Sequence, residues 1–181
     1  DYIGEMVSRG VLDGYPNGKF YPDKSVTRAE FAKIMTVAAG VKISSAPQKV
    51  FSDVEQTDWF APYVEAAYPY LGGYAVNNSR YYQPSMPALR EDIAVALVKL
   101  KGYDTAGYDE SVLTTMFSDA YSISSAARPY VATAVQRGLV SGYEDDTFRG
   151  QQGITRAEAA ALLWRAYQYG NDNKAFGAPS I

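Results

Sequence analysis

The chain contains neither cysteine nor histidine among its 181 residues. A thiol nucleophile, a Ser-His-Asp triad, a Cys/His zinc centre and an imidazole pH switch are therefore excluded. The lack of cysteine suits an exported protein that avoids stray thiols. Long apolar runs are missing too: none approaches the length that spans a bilayer, so membrane insertion is not expected. No signal peptide opens the sequence, and position 1 reads as a fragment boundary or a mature start. Excess positive charge is also lacking. With a net charge of −3 and a pI of about 5.0, the chain has no nucleic-acid footprint of clustered Lys and Arg.

What is present is apolar content of 47%, enough for a real core, and 16 tyrosines. Rings of that amphipathic kind suit sugar-facing grooves as well as the rim of a core. The sequence also repeats itself. Gly10-Val11-Leu12-Asp13-Gly14-Tyr15, preceded by Arg9, aligns without a gap on Gly138-Leu139-Val140-Ser141-Gly142-Tyr143, preceded by Arg137. In the same register Phe20 falls on Phe148, and Val26-Thr27-Arg28-Ala29-Glu30 falls on Ile154-Thr155-Arg156-Ala157-Glu158. A looser middle copy is marked by Phe51-Ser52-Asp53, which matches Phe117-Ser118-Asp119, and by Arg90. Units of roughly 55–65 residues result, a size that needs neighbours to bury its apolar faces. We place repeat one at 1–45 (truncated at its N-terminal side), repeat two at 46–107, repeat three at 108–170 and a polar tail at 171–181.

Each repeat reads as helix, loop, helix. The first helix carries an apolar stripe at Ile3, Met6 and Val7; at Val64, Ala67 and Tyr68; and at Val131, Ala134 and Val135. Pro62 and Pro129 fit its first turn, and Gly10 and Gly138 fit the left-handed position after its end. Thr27 with Glu30, and Thr155 with Glu158, form capping boxes that open the second helix. Behind them run Phe31, Ile34, Met35 and Ala38; Ile93, Ala96, Leu97 and Leu100; and Ala159, Leu162, Leu163 and Ala166. The expected fold is all-α, with six helices and no sizeable sheet. Its three helix-loop-helix repeats would lie in a pseudo-threefold arrangement around a central three-helix bundle.

Phe51-Ser52-Asp53-Val54 followed by Trp59, the loop Gly14-Tyr15-Pro16-Asn17-Gly18-Lys19-Phe20, and Val-Thr-Arg-Ala-Glu opening a helix together resemble the S-layer homology motif. The resemblance covers positions 1 to about 169. It implies a three-pronged spindle around a three-helix bundle that anchors proteins non-covalently to the bacterial cell wall, outside the cell. The implied partner is an acidic secondary cell wall polysaccharide bearing pyruvate ketals, bound in grooves between the prongs. The resemblance points to Arg28, Arg156 and, less directly, Arg90 as ligand contacts, in a monomeric module of a larger surface protein.

The residues support that assignment in their own terms. Behind a Thr cap, Arg28 and Arg156 occupy the first helical position, where a cation opposes the helix dipole at a cost of roughly 0.3–1 kcal/mol. Free N–H groups beside a planar guanidinium would form a carboxylate site. The competing reading is an intramolecular ion pair with a loop carboxylate. Tyr15 and Tyr143 fit either a sugar face or packing over the bundle. Glu30 and Glu158 fit caps first and ligand contacts second. Trp59 fits either a binding role or the core, and repeat three has Ala126 in its place. Repeat two departs furthest: Leu89 replaces the Thr cap, Asp92 replaces Glu, and its loop is three residues longer. Loss of the cap is expected to fray the helix end at Arg90.

No catalytic pair emerges beyond the capping acids, so we expect no enzyme activity. Glu144-Asp145-Asp146 and Asn171-Asp172-Asn173 do not continue into a calcium loop, so neither metal nor cofactor is expected. The alternative to wall binding is a protein–protein assembly module of a surface layer.

Overall fold

The structure, a computed structural model, describes residues 2–8 and 10–168. Arg9 of the repeat string, the expected tail at 171–181 and its Asn171-Asp172-Asn173 string lie outside the described residues. In chain order the described residues form α1 (Tyr2–Ser8), α2 (Arg28–Ala39), α3 (Ala61–Ala67), β1 (Tyr74–Val76), β2 (Ser79–Tyr81), α4 (Arg90–Lys101), α5 (Ser111–Met116), a short 3-10 turn (Ala120–Ser122), α6 (Arg128–Gln136) and α7 (Arg156–Gln168). Two compact units are present, one built from residues up to 88 with those from 154 on, the other from residues 89–153.

Six of the seven helices stand where the periodicity put them, and the three long ones open on Arg28, Arg90 and Arg156. Helix α5, the 3-10 turn beside it and a hairpin were not expected. Helix α5 starts where the Asp109 carboxylate accepts hydrogen bonds from the backbone N–H and hydroxyl of Ser111, at 3.0 and 2.6 Å. Such a local Asx turn is easily missed, and the helix is too short to show a period. The extra residues of the second loop form a hairpin, with Tyr74 opposite Tyr81 and Val76 opposite Ser79. Its turn residues, Asn77 and Asn78, both have positive φ, as a tight two-residue hairpin turn demands. Otherwise the described residues are helical and irregular.

In the first unit α2 packs on α3 and α7, and α1 packs on α7. Nine of the twelve residues of α2 are buried, so this helix is covered nearly all round. In the second unit α4 packs on α6, and nine of its twelve residues are buried as well. All twelve apolar stripe positions assigned to the long helices are buried. The stripes of the short helices need correction. Met6, Val64, Ala67, Val131 and Ala134 are buried, but Val7 and Tyr68 are exposed. A seven-residue helix lying on one neighbour buries a narrow seam, and its i+4 position falls outside that seam. Gly10 and Gly138 adopt the left-handed conformation, with φ of 73° and 71°. Pro62 and Pro129 sit in the first turns of α3 and α6.

A closed ring of backbone hydrogen bonds joins the segments that lead into the long helices. Val26 N–H donates to the Ile154 carbonyl (2.9 Å), Ile154 N–H to Ala88 (3.0 Å), and Ala88 N–H to Val26 (3.0 Å). All three residues are fully buried. Each lies two positions before its repeat's arginine.

Candidate functional site

The cap geometry follows the sequence closely in repeats one and three. Thr27 Oγ1 accepts from Glu30 N–H at 3.1 Å, and Thr155 Oγ1 accepts from Glu158 N–H at 3.1 Å while Thr155 N–H reaches Glu158 Oε1 at 3.3 Å. Leu89 makes no side-chain cap.

The first-turn N–H groups are not open to an anion. Arg28 N–H donates to Met86 O and Ala29 N–H to Pro84 O; Arg156 N–H donates to Lys24 O and Ala157 N–H to Pro22 O. In the second unit Arg90 N–H donates to Gln152 O and Glu91 N–H to Gly150 O. The expected anion site at the helix start is thus occupied by the chain itself: loop carbonyls take the first-turn N–H groups that a helix leaves without an intrahelical partner. The same bonds hold the start of α4, so the missing Thr cap does not leave it frayed. Glu91 adds to this: its buried carboxylate accepts from Ser124 N–H (3.0 Å), Ser124 Oγ (2.6 Å) and Gln151 Nε2 (2.8 Å).

The three arginine side chains share one design. Arg28 Nε donates to the Tyr82 carbonyl at 2.8 Å and Nη2 to that of Gly72. Arg90 Nε donates to Phe148 O at 2.8 Å and Nη2 to Ser141 O at 3.0 Å. Arg156 Nε donates to Phe20 O at 2.9 Å and Nη2 to Asp13 O. Each guanidinium also lies over a pair of rings: Tyr74 and Tyr82, Tyr143 and Phe148, or Tyr15 and Phe20. They are only 2%, 7% and 7% exposed, respectively. Arg156 keeps an ion pair, with Glu30, and in all three the fork grips loop carbonyls while the tyrosine after each loop glycine stacks on it. Tyr74 belongs to this set, and its sequence signal was the recurring Gly-Tyr pair.

A second recurring clamp went unread. Asp53 accepts from Tyr82 N–H and Gln83 N–H, both at 2.8 Å, and Asp119 accepts from Phe148 N–H and Arg149 N–H, also at 2.8 Å. Gln83 and Arg149 have φ of 57° and 59°, so the carboxylate holds a left-handed residue that is not glycine. The Phe-x-Asp motif is visible in the sequence; the left-handed residue that it holds is not.

One cavity of about 320 Å³ in the first unit gathers several of the expected site residues. Arg156, Tyr15, Glu30 and Trp59 line it, joined by Asp13, Lys24 and Lys33. Arg28, Arg90, Tyr143 and Glu158 do not. Trp59 is 56% exposed, which removes the core reading; its indole meets the Phe60 ring edge-on. Glu30 Oε2 lies 4.0 Å from Arg156 Nη1, and Lys33 pairs with Asp13 at 2.7 Å. The Lys24 ammonium sits 4.6 Å from the centre of the Tyr15 ring. A hydrogen bond to the Tyr15 side chain raises its pKa above the usual lysine value, and the Glu30 charge adds to the effect. Three cations, two carboxylates and two exposed-edge aromatics form a surface suited to a polar ligand with a negative group and an apolar face. Among the described residues no group of acids, His or Cys is placed to hold a metal.

The profile of the S-layer homology domain matches residues 1–32 and 117–160, the repeats whose caps are intact. The chain belongs to the S-layer homology family. This S-layer homology chain is 33% identical over 91% of its length to an amylopullulanase of Thermoanaerobacterium thermosulfurigenes, of which it spans 9%. It is 31% identical over 95% of its length to exoglucanase XynX of Acetivibrio thermocellus, of which it spans 16%. A cellulosome-anchoring protein of the same organism is 31% identical over 91% of the chain, which spans 37% of that protein. The shared segment is thus a small part of each relative. S-layer homology chains of this kind are modules of the bacterial cell surface. No helix among the described residues is long and apolar enough to cross a membrane.

Proposed function

We propose that this S-layer homology module anchors a larger protein to the cell wall by binding an acidic, pyruvylated secondary cell wall polysaccharide, without catalysis. The observation that carries the reading is the cavity of the first unit, where Trp59 and Tyr15 flank three cations. An aromatic edge takes the apolar face of a sugar, and a cation takes a ketal carboxylate. In this reading Arg156, Tyr15, Glu30 and Trp59 shape that site, and Arg28, Arg90, Tyr143 and Glu158 serve equivalent roles elsewhere in the chain. The repeats are arranged pseudo-threefold, a reading supported by the three arginines, each of which grips the next repeat's loop and the last of which returns to the first. The module works as a monomer. A cellulosome-anchoring relative supports attachment to a surface.

The test is co-sedimentation with purified cell walls before and after the ketals are removed by mild acid. Intact walls should retain the protein and treated walls should not. Retention should weaken with salt, because the contacts are charged, and withstand EDTA. Undiminished retention on treated walls would overturn the proposal in favour of a protein partner.

A further inference from the structure

The cavity holds three cations, and they are not equivalent. Arg156 is buried, with Nε and Nη2 committed to the carbonyls of Phe20 and Asp13 and Nη1 facing Glu30. To meet a ligand it would have to release the loop it fastens. Lys33 is paired with the Asp13 carboxylate at 2.7 Å. Lys24 is exposed and, among the described residues, has no carboxylate within ion-pair distance; its ammonium rests on Tyr15. That tyrosine also lies against Arg156, which places the ammonium beside the buried arginine in the cavity wall. Its raised pKa is consistent with this, since the Tyr15 hydrogen bond favours the charged form.

We infer that Lys24, not the helix-opening arginines, is the residue that reads the ligand's carboxylate, and that charge recognition is concentrated in repeat one. This rests on the polysaccharide reading above. The backbone identifies the corresponding positions in the other repeats without ambiguity: the carbonyls of Lys24, Met86 and Gln152 each accept the N–H of an arginine that opens a long helix. Two of those three positions are therefore neutral. Lys33 likewise corresponds to Val95 and Ala161, and Asp13 to Gly72 and Ser141. The arginines recur because every loop needs fastening. The lysines do not recur, which is the pattern of a specificity feature laid over a common scaffold.

The experiment titrates the intact chain and two variants with a hexopyranoside carrying a pyruvate ketal, and with the neutral methyl ester of the same compound. The unaltered chain should bind the acid about tenfold more tightly than the ester, the scale of one partly exposed charge-assisted contact. Lys24→Met, which installs the residue of repeat two, should bring the acid-to-ester ratio close to one with only a small change in melting temperature. Lys24→Arg should keep the preference, which a purely structural role for the side chain would not predict. If the unaltered chain prefers the acid and Lys24→Met retains that preference, this inference fails while the polysaccharide reading stands. If the unaltered chain binds neither compound, the polysaccharide reading fails and takes this inference with it.

Discussion

Arg28 shows how a residue with the look of a ligand contact can be a structural fastener. Its guanidinium satisfies two loop carbonyls 44 and 54 positions away and is almost wholly buried. Removing it leaves those carbonyls without their donor, a loss of the kind that costs about 2–4 kcal/mol in a buried setting. We therefore expect Arg28→Ala to lower the midpoint of urea unfolding by a corresponding amount, and Arg28→Lys to recover little, since an ammonium cannot span both acceptors. A solvent-facing arginine would move stability by no more than about 0.5 kcal/mol. An unchanged unfolding midpoint would mean that the carbonyl contacts contribute nothing. Loss of wall binding after alanine substitution at Arg28, Arg90 or Arg156 should accordingly be read beside a stability measurement. The expected fraying at Arg90 also loses its premise, because the start of α4 is held by Gln152, Gly150 and Glu91 instead of by a Thr cap.

The loops that carry these acceptors are elements in their own right, and their packing differs between repeats. A Cβ added to Gly142 would lie 2.5 Å from the Phe117 ring and 2.9 Å from the Thr147 carbonyl. At Gly73 it would meet the Tyr81 carbonyl and lie 2.5 Å from the Phe51 ring. At Gly14 the nearest atom is the Lys19 carbonyl, 3.6 Å away, an ordinary contact. The phenylalanine of the Phe-x-Asp motif thus closes on the loop in repeats two and three. We expect Gly142→Ala and Gly73→Ala to destabilise by about 1–3 kcal/mol, as overpacking does. Gly14→Ala should stay within about 0.5 kcal/mol of the parent. Thermal melts of the three variants test the ordering, and equal losses at all three would refute this account of the motif.

At the scale of the whole molecule the absence of histidine sets the response to pH. Asp109 is held below the usual carboxylate range first by the Ser111 hydroxyl, and Asp145 first by the Thr147 hydroxyl. A depressed carboxyl contributes stability above its unfolded pKa, near 3.9, and loses it as the pH falls through the lowered folded value. Lys24 is raised, so its contribution is complete below its unfolded value, near 10.4, and is lost as pH rises through the folded one. Both windows lie outside neutrality. Melting temperature should therefore be flat from about pH 5 to 8, falling on the acid side first, as a calorimetric scan across buffers would show. A step near pH 6.5 would contradict it.

The parts legible from sequence were those set by neighbours along the chain: the starts of α2, α4 and α7, the capping boxes, the first-turn prolines and the left-handed Gly10 and Gly138. Capping and 3.6-residue periodicity act over a few positions, so the string of residues suffices to place them. Family membership was legible for the same reason, since its motifs are local and recur in order. What the arginines hold, where Trp59 faces and which residues share a cavity were decided only in three dimensions. Arg156 and Phe20 are 136 positions apart, and nothing between them in sequence announces that a guanidinium will find that carbonyl. Tertiary packing sets the loop against the helix start, where the first-turn N–H groups and the guanidinium are satisfied by its carbonyls. That left Lys24, ordinary in the sequence, as the exposed cation of the cavity without a carboxylate partner among the described residues.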